Sequence, residues 1–270
     1  MIKRQGDIFL VSFTLQIGVM NVNDTLEAKK HNREKLEEYI KSLGADIAGF
    51  ASVQNYTGIF GITDGSEHPG YYIKGAKTLI VVGVKIVDSI MDNLTGTKDP
   101  HSYNLKNYLL HYAYDKLDEI AASTSKYIEG LGYDAYPIQA RSEIRENGYL
   151  WSYFSHKKAA IAAGLGHSGK SSIIITKKFG TRVRLATIIT DMDIKADEPK
   201  DKTPGKVCGS CRICIDVCPV KALEFDETDK KTIIDPVKCQ AHMDYCQCAL
   251  CQGICPVGKK IAEKRRNILD

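Results

Sequence analysis

Residues 208–219 read CGSCRICIDVCP, and residues 248–256 read CALCQGICP. The first run spaces its thiols as Cys208-x2-Cys211-x2-Cys214-x3-Cys218-Pro219, and the second as Cys248-x2-Cys251-x3-Cys255-Pro256. A two-residue gap lets neighbouring thiolates reach different corners of one cubane, while the three-residue gap and the proline turn the chain toward a second cube. All nine cysteines fall between Cys208 and Cys255. That clustering does not suit a disulfide framework and points to metal.

In a paired run of this kind the fourth cysteine of each run ligates the other cluster. Crossing the ligands gives Cys208, Cys211, Cys214 and Cys255 to one 4Fe-4S cluster. The other then has Cys218, Cys248 and Cys251 and needs one more thiolate, from Cys239 or Cys246. A single residue separates Cys246 from Cys248, a tight bite for a shared cubane, so Cys239 is the expected ligand and Cys246 a spare thiol. Paired CxxC motifs also hold tetrahedral zinc, but zinc requires neither the Cys-Pro endings nor the crossed count. Two clusters spaced for electron hopping read as a redox wire.

The 270 residues around these runs are 43% hydrophobic and 26% charged, ordinary for a globular protein with a core. The net charge of +4 falls short of a dedicated nucleic-acid binder. Ile8 to Met20 is an apolar run, but Asp7 opens it, no small-residue cleavage site follows and it is too short to span a bilayer. An edge strand or extended start is expected there, in a cytoplasmic protein without a membrane partner.

Upstream of the cysteines the periodicity predicts a helix over Asn21–Gly44, strands over Asp46–Val53 and Thr78–Val87, and a long helix over Asn104–Leu131 on which Leu105, Leu109, Ala113, Leu117, Ile120 and Ile128 recur. A strand at Ala135–Ile138 and a helix at Phe154–Ala163 follow. A glycine-rich loop, Gly164–Gly169, then precedes strands Ser172–Thr176 and Arg182–Thr190. The expected fold is an α/β (α+β) cofactor-binding domain over residues 1–200, a two-cluster ferredoxin-like domain over 201–258, and a basic helix over 259–270. Residues 196–206, ADEPKDKTPGK, suit a linker.

Residues 164–171, GLGHSGKS, match the phosphate-loop pattern GxxxxGK[ST]. That loop must follow a strand and open a helix so that backbone amides face the phosphates. Here an Ala- and Lys-rich helical stretch precedes it and β-branched SSIIIT follows. The glycines are expected either to let backbone approach a flat or bulky ligand or to make a tight helix-to-strand turn.

The stretch KKAAIAAGLGHSGKSSIIITKKFGTRVRLATIITDM (157–192), with CGSCRICIDVCP after it, resembles the epoxyqueuosine reductases and the related reductive dehalogenases. The resemblance covers residues 150–258 well and the N-terminal part by element order. It implies a nitroreductase-like α/β domain holding a cobalamin, with flavin as the lesser choice, fed by a two-cluster ferredoxin module. It also implies a cofactor-binding segment of Gly164, Leu165, Gly166, His167, Ser168, Gly169 and Lys170, with His167 at the cofactor or merely hydrogen-bonded to backbone. Cys239, in VKCQAH, matches the family's extra cluster ligand. The implied partners are an external electron donor such as a ferredoxin or flavodoxin, and a small organic or nucleoside substrate.

The sequence departs from the family in several places. Epoxyqueuosine reductases place a catalytic Asp about fifteen residues before the GLG loop, where this chain has Tyr149, Leu150 and Trp151, and a Trp where this chain has His167. Their C-terminal helical-repeat domain finds no counterpart before Asp270, so tRNA is not an expected partner. Reductive elimination needs a proton, and Tyr153, His156 and Lys158 are the candidate donors. Arg141 and Glu143 are candidates to orient an anion. An enzyme predicts a donor beside the cofactor; a relay or carrier protein for a corrinoid or flavin predicts an open face without one.

Overall fold

The computed structural model describes residues 22–146, 149–199, 203, 205–246 and 248–258. The apolar run Ile8–Met20 and the basic tail 259–270 lie outside them. Helix α1 (Val22–Ser42) leads to strand β1 (Ile47–Ser52), helix α2 (Val53–Phe60) and strand β2 (Thr78–Lys85). Helices α3 (Asp88–Asp92) and α4 (Pro100–Tyr108) follow, then a π-helical turn (Leu109–Ala113) and α5 (Tyr114–Gly130). Next come β3 (Ala135–Ile138), the hairpin β4 (Glu143–Glu146) and β5 (Tyr149–Ser152), α6 (His156–Ala162), the hairpin β6 (Gly166–Ser168) and β7 (Ile174–Thr176), and β8 (Val183–Thr190). The cysteine-rich part adds α7 (Ile213–Asp216), the hairpin β9 (Leu223–Asp226) and β10 (Lys231–Ile234), α8 (Pro236–Cys246) and α9 (Leu250–Gly253).

The central sheet runs β1-β2-β8-β3 with every pair antiparallel. β2 (TLIVVGVK) is buried at every position but the last, so its apolar residues are shared between two faces. Leu79 and Val81 join Val53 and Tyr56 of α2 and Ala159–Ala162 of α6 on one face. Ile80, Val82 and Val84 join Leu36 and Ile40 of α1 and Leu117 and Ile120 of α5 on the other. The result is three layers, helix–sheet–helix, in which each fully buried Leu or Ile adds roughly 2 kcal/mol of transfer free energy. Among the described residues no helix is long and apolar enough to cross a membrane.

Four expectations are refined by these elements. The long helix begins at Pro100, because Asp99 caps it by accepting from Ser102 N at 2.9 Å. It is also interrupted by the π turn, which lets Leu105 pack with Ile86 and Met91 while Leu117 and Ile120 pack on the sheet. The glycine-rich loop is itself a hairpin, with His167 opposite Ile175. The start of the linker is docked: Asp197 Oδ1 meets Arg33 at 2.6 Å, and its backbone pairs with Phe50 O at 2.7 Å.

The cysteine-rich part is fastened to the sheet where β8 begins. Thr181 Oγ1 donates to Gln252 O at 2.8 Å, and the Gln252 amide returns a bond to Thr181 O. Gly180 has φ +56°, and a Cβ there would stand 1.8 Å from Val257 O, so only glycine permits this crossing of backbones. Arg182 is fully buried and reaches Asp88 Oδ1 at 3.1 Å, Asp92 Oδ1 at 2.5 Å and Gly253 O at 3.2 Å. Arg182→Met leaves two carboxylates without their buried cation, and is expected to destabilise the fold by about 3–5 kcal/mol. A markedly lower urea midpoint for the variant than for wild type checks this.

Candidate metal centres and the cavity beside them

The cysteines gather in two sets. Cys218, Cys239, Cys248 and Cys251 line one cavity of about 280 Å³, whose other walls include Val220, Leu223, Ile234 and Met243. Burial, and then Cys218, Cys248 and Asp235, raise the Cys239 thiol above its usual range. Burial, and then Cys248, Cys239, Cys214 and Cys218, push Cys251 up to about 12. In the other set burial, and then Cys208, Cys255 and Cys211, push Cys214 up to about 11. Cys255 is raised by burial and by Cys208 and Cys211 against the lowering bonds from Val257 N and Thr181.

Within each set the thiols disfavour one another's ionisation, which a cationic iron core would offset. Cys214 and Cys251 pack on the same apolar wedge, Ile215, Leu223 and Phe225, so the sets are neighbours. Four thiols around a mostly apolar cavity fit the donor set and burial of a cubane. Among the described residues no three His, Cys, Asp or Glu groups converge on a single-ion site.

Cys246 faces elsewhere. It is buried, with Sγ 3.2 Å from Gly96 O and 3.3 Å from both Nε2 and O of His242.

A second cavity, about 290 Å³, lies between the β6–β7 hairpin and the set that holds Cys208 and Cys255. Gly164, Leu165, Gly166, His167 and Lys177 line one side, and Val207, which precedes Cys208, and Val257, two residues after Cys255, line the other. Its largely apolar wall suits the edge of a flat macrocycle, although the enclosed volume is small for a whole corrinoid.

No family model matches the chain. Over 129 residues, 48% of its length, it is 30% identical to a tetrachloroethene reductive dehalogenase of Desulfitobacterium hafniense, of which it covers 21%. Over 265 aligned positions, 84% of its length, it is 25% identical to an epoxyqueuosine reductase of Lactococcus garvieae, of which it covers 71%. The chain is a homologue of both the epoxyqueuosine reductases and the reductive dehalogenases.

Solved structures agree on the fold. A reductive dehalogenase whose structure bears on B12-dependent dehalogenation superposes with a TM-score of 0.65 at 22% identity, over 90% of this chain and 34% of that one. An epoxyqueuosine reductase bound to a tRNA stem loop gives 0.57 at 21%, over 85% and 66%. The homologue thus spans about a fifth of the dehalogenase that it matches in sequence.

Of the expected cofactor-binding segment, Gly164 to His167 reach the second cavity. Ser168, Gly169 and Lys170 do not. Ser168 O accepts from Gly205 N at 2.8 Å, and Gly169 N closes the hairpin turn on Ile173 O at 2.9 Å. Lys170, 2% exposed, pairs with Glu227 Oε1 at 2.5 Å and lies 4.9 Å from the Phe225 ring centre. It therefore joins the hairpin to the cysteine-rich part. The glycines answer to backbone packing as well: a Cβ at Gly164 would stand 2.5 Å from Glu198 O. The literal phosphate-loop match accordingly has no helix after it.

None of the three expected proton donors lines that cavity. Tyr153 packs on the core, and burial raises its hydroxyl. Lys158 is ion-paired with Glu67. His156 places Nε2 2.9 Å from Gln139 O and Nδ1 2.9 Å from Thr187 Oγ1, so both nitrogens are engaged, Nε2–H donating to the carbonyl and Nδ1 accepting from the hydroxyl. The side chains of Glu143, Tyr149, Leu150 and Trp151 lie outside the described set. Residues missed in the sequence are Arg184, His242 and Gln252, which wall the first cavity. Their available signal was the pair of arginines, 182 and 184, in an otherwise apolar strand.

Two outcomes follow. Cys239→Ser is expected to lose the iron of one cluster and Cys246→Ser to keep both, read by iron and sulfide analysis. Burial, partly offset by the Gln139 bond, lowers His156 from 6.5 to about 4. Its depressed folded value means that the unfolded chain takes up a proton first, so stability is intact above pH 6.5 and declines as pH falls toward 4. The urea midpoint should drop more between pH 7 and 5 in wild type than in His156→Gln.

Proposed function

We propose that the chain is an iron–sulfur oxidoreductase. It passes electrons singly through two 4Fe-4S clusters, held by Cys218, Cys239, Cys248 and Cys251 and by Cys208, Cys211, Cys214 and Cys255, toward a corrinoid seated against Gly164–His167. The observation carrying this reading is the pair of cysteine sets side by side, the second cavity opening beside the residues that flank Cys208 and Cys255. When bound, a corrinoid supplies a cobalt centre that accepts electrons and passes them to substrate. Leu165, Val207 and Val257 would keep water from its edge, with His167 on the same wall. The homologues are reductases, and a small organic or nucleoside compound is the substrate class this reading takes. A ferredoxin or flavodoxin is the electron donor that this reading takes.

One observation favours a second reading, a relay or carrier protein for a corrinoid or flavin: Tyr153, His156 and Lys158 are all engaged away from the cavity. Anaerobic purification followed by iron and sulfide analysis and a cobalamin titration followed in the visible spectrum tests both. About eight irons per chain are expected, with a cobalamin spectrum that shifts on binding. About four irons would remove the ligand assignment; full iron without cobalamin or flavin binding would remove the reductase reading.

A further inference from the structure

The cavity enclosed by Cys218, Cys239, Cys248 and Cys251 has one permanently charged group in its wall, Arg184. Arg184 is the second residue of β8, where Val183 and Leu185 face the α2–α6 core and Arg184, on the alternate face, projects toward α5 and the cysteine-rich part. Its Nε donates to Tyr114 Oη at 3.2 Å and its Nη1 to Gln252 Oε1 at 2.9 Å. Tyr114 begins α5 and Gln252 follows Cys251, so the guanidinium is held between the α/β domain and the cluster loop. Among the described residues it has no carboxylate partner, unlike Arg182 two residues earlier, which has two. A half-buried cation without a counter-ion is costly unless an anion completes it. The four cysteines that share the cavity wall with it would supply that anion as the thiolates of a bound cluster.

We propose that Arg184 is the counter-charge of the cluster in this cavity and sets its reduction potential. The inference rests on the two-cluster reading. Reduction adds one electron from a one-electron donor, and hence one more negative charge, to an iron–sulfur core with four thiolates. Burial in apolar surroundings disfavours that added charge and lowers the potential, whereas a fixed cation and hydrogen bonds near the sulfurs raise it. Arginine keeps its charge at every working pH, so the effect is constant. In the other set Cys211 is exposed, and solvent takes the corresponding part. Arg184 therefore holds the more enclosed cluster within reach of its donor, so that the pair conducts toward the second cavity.

The test is an electron-paramagnetic-resonance redox titration of anaerobically prepared full-length protein with dithionite, in wild type, Arg184→Met, Arg184→Gln and Arg184→Lys. Cys239→Ser identifies the signal of the cluster in question by its loss. That cluster's midpoint is expected to fall in the Met and Gln variants, to return most of the way in the Lys variant, and to leave the other cluster's midpoint unmoved. Gln retains hydrogen bonding without charge, so the charge effect stays readable if the Met variant does not load. Unmoved midpoints in fully loaded Met or Gln protein overturn the role of Arg184, as does an equal shift in both clusters. A wild type with about four irons instead fails the two-cluster reading, and is recognised by iron content before any potential is measured.

Discussion

Everything in this molecule depends on how the first residues of β8 grip the second cysteine run. Thr181 exchanges bonds with Gln252, Arg182 reaches Gly253 O, and Gly180 passes against Val257 with no room for a side chain. The same strand continues as an interior member of the sheet, buried on both faces. The second cysteine run is thereby attached to an interior strand, and the segment from Gln252 to Val257 is tied to the sheet.

Lys170 supplies a matching attachment on the other side. It was readable in the sequence as the lysine of a phosphate-loop pattern, yet its ammonium is buried against Phe225 and paired with Glu227. The aromatic face and the carboxylate together offset the cost of burying this side chain. The hairpin β6–β7 thus presents its early residues to the second cavity and its later residues to the cysteine-rich part. One short segment serves both a cavity wall and a joint to the cysteine-rich part.

The sheet strands were legible because burial on both faces demands continuous β-branched runs, as in Thr78–Lys85 and Val183–Thr190. The cysteine runs were legible as groups because their spacing already sorts them, and the fold gathers Cys218, Cys239, Cys248 and Cys251 around one cavity. What escaped was set by long-range packing. The cap at Asp99 lay before the first apolar repeat, and the docking of Asp197 on Arg33 ties down the start of a polar stretch that reads as linker. His156 looked available because the carbonyl and hydroxyl that occupy its nitrogens come from residues 139 and 187, distant in sequence. Arg184 was hidden for the opposite reason: a charged residue in an interior strand needs a partner, and its partners come from α5 and from beyond Cys251.

The π turn at Leu109–Ala113 has a consequence for how such a chain can vary. One extra residue in that turn rotates α4 relative to α5, so the two halves of a single rod address different cores, Leu105 toward Ile86 and Met91, and Leu117 toward the sheet. A residue gained or lost there would be absorbed as rotation of α4 alone, leaving the register of α5 on β8 intact. The turn acts as a phase adjuster between the Ile86–Met91 core and the sheet core that α5 covers.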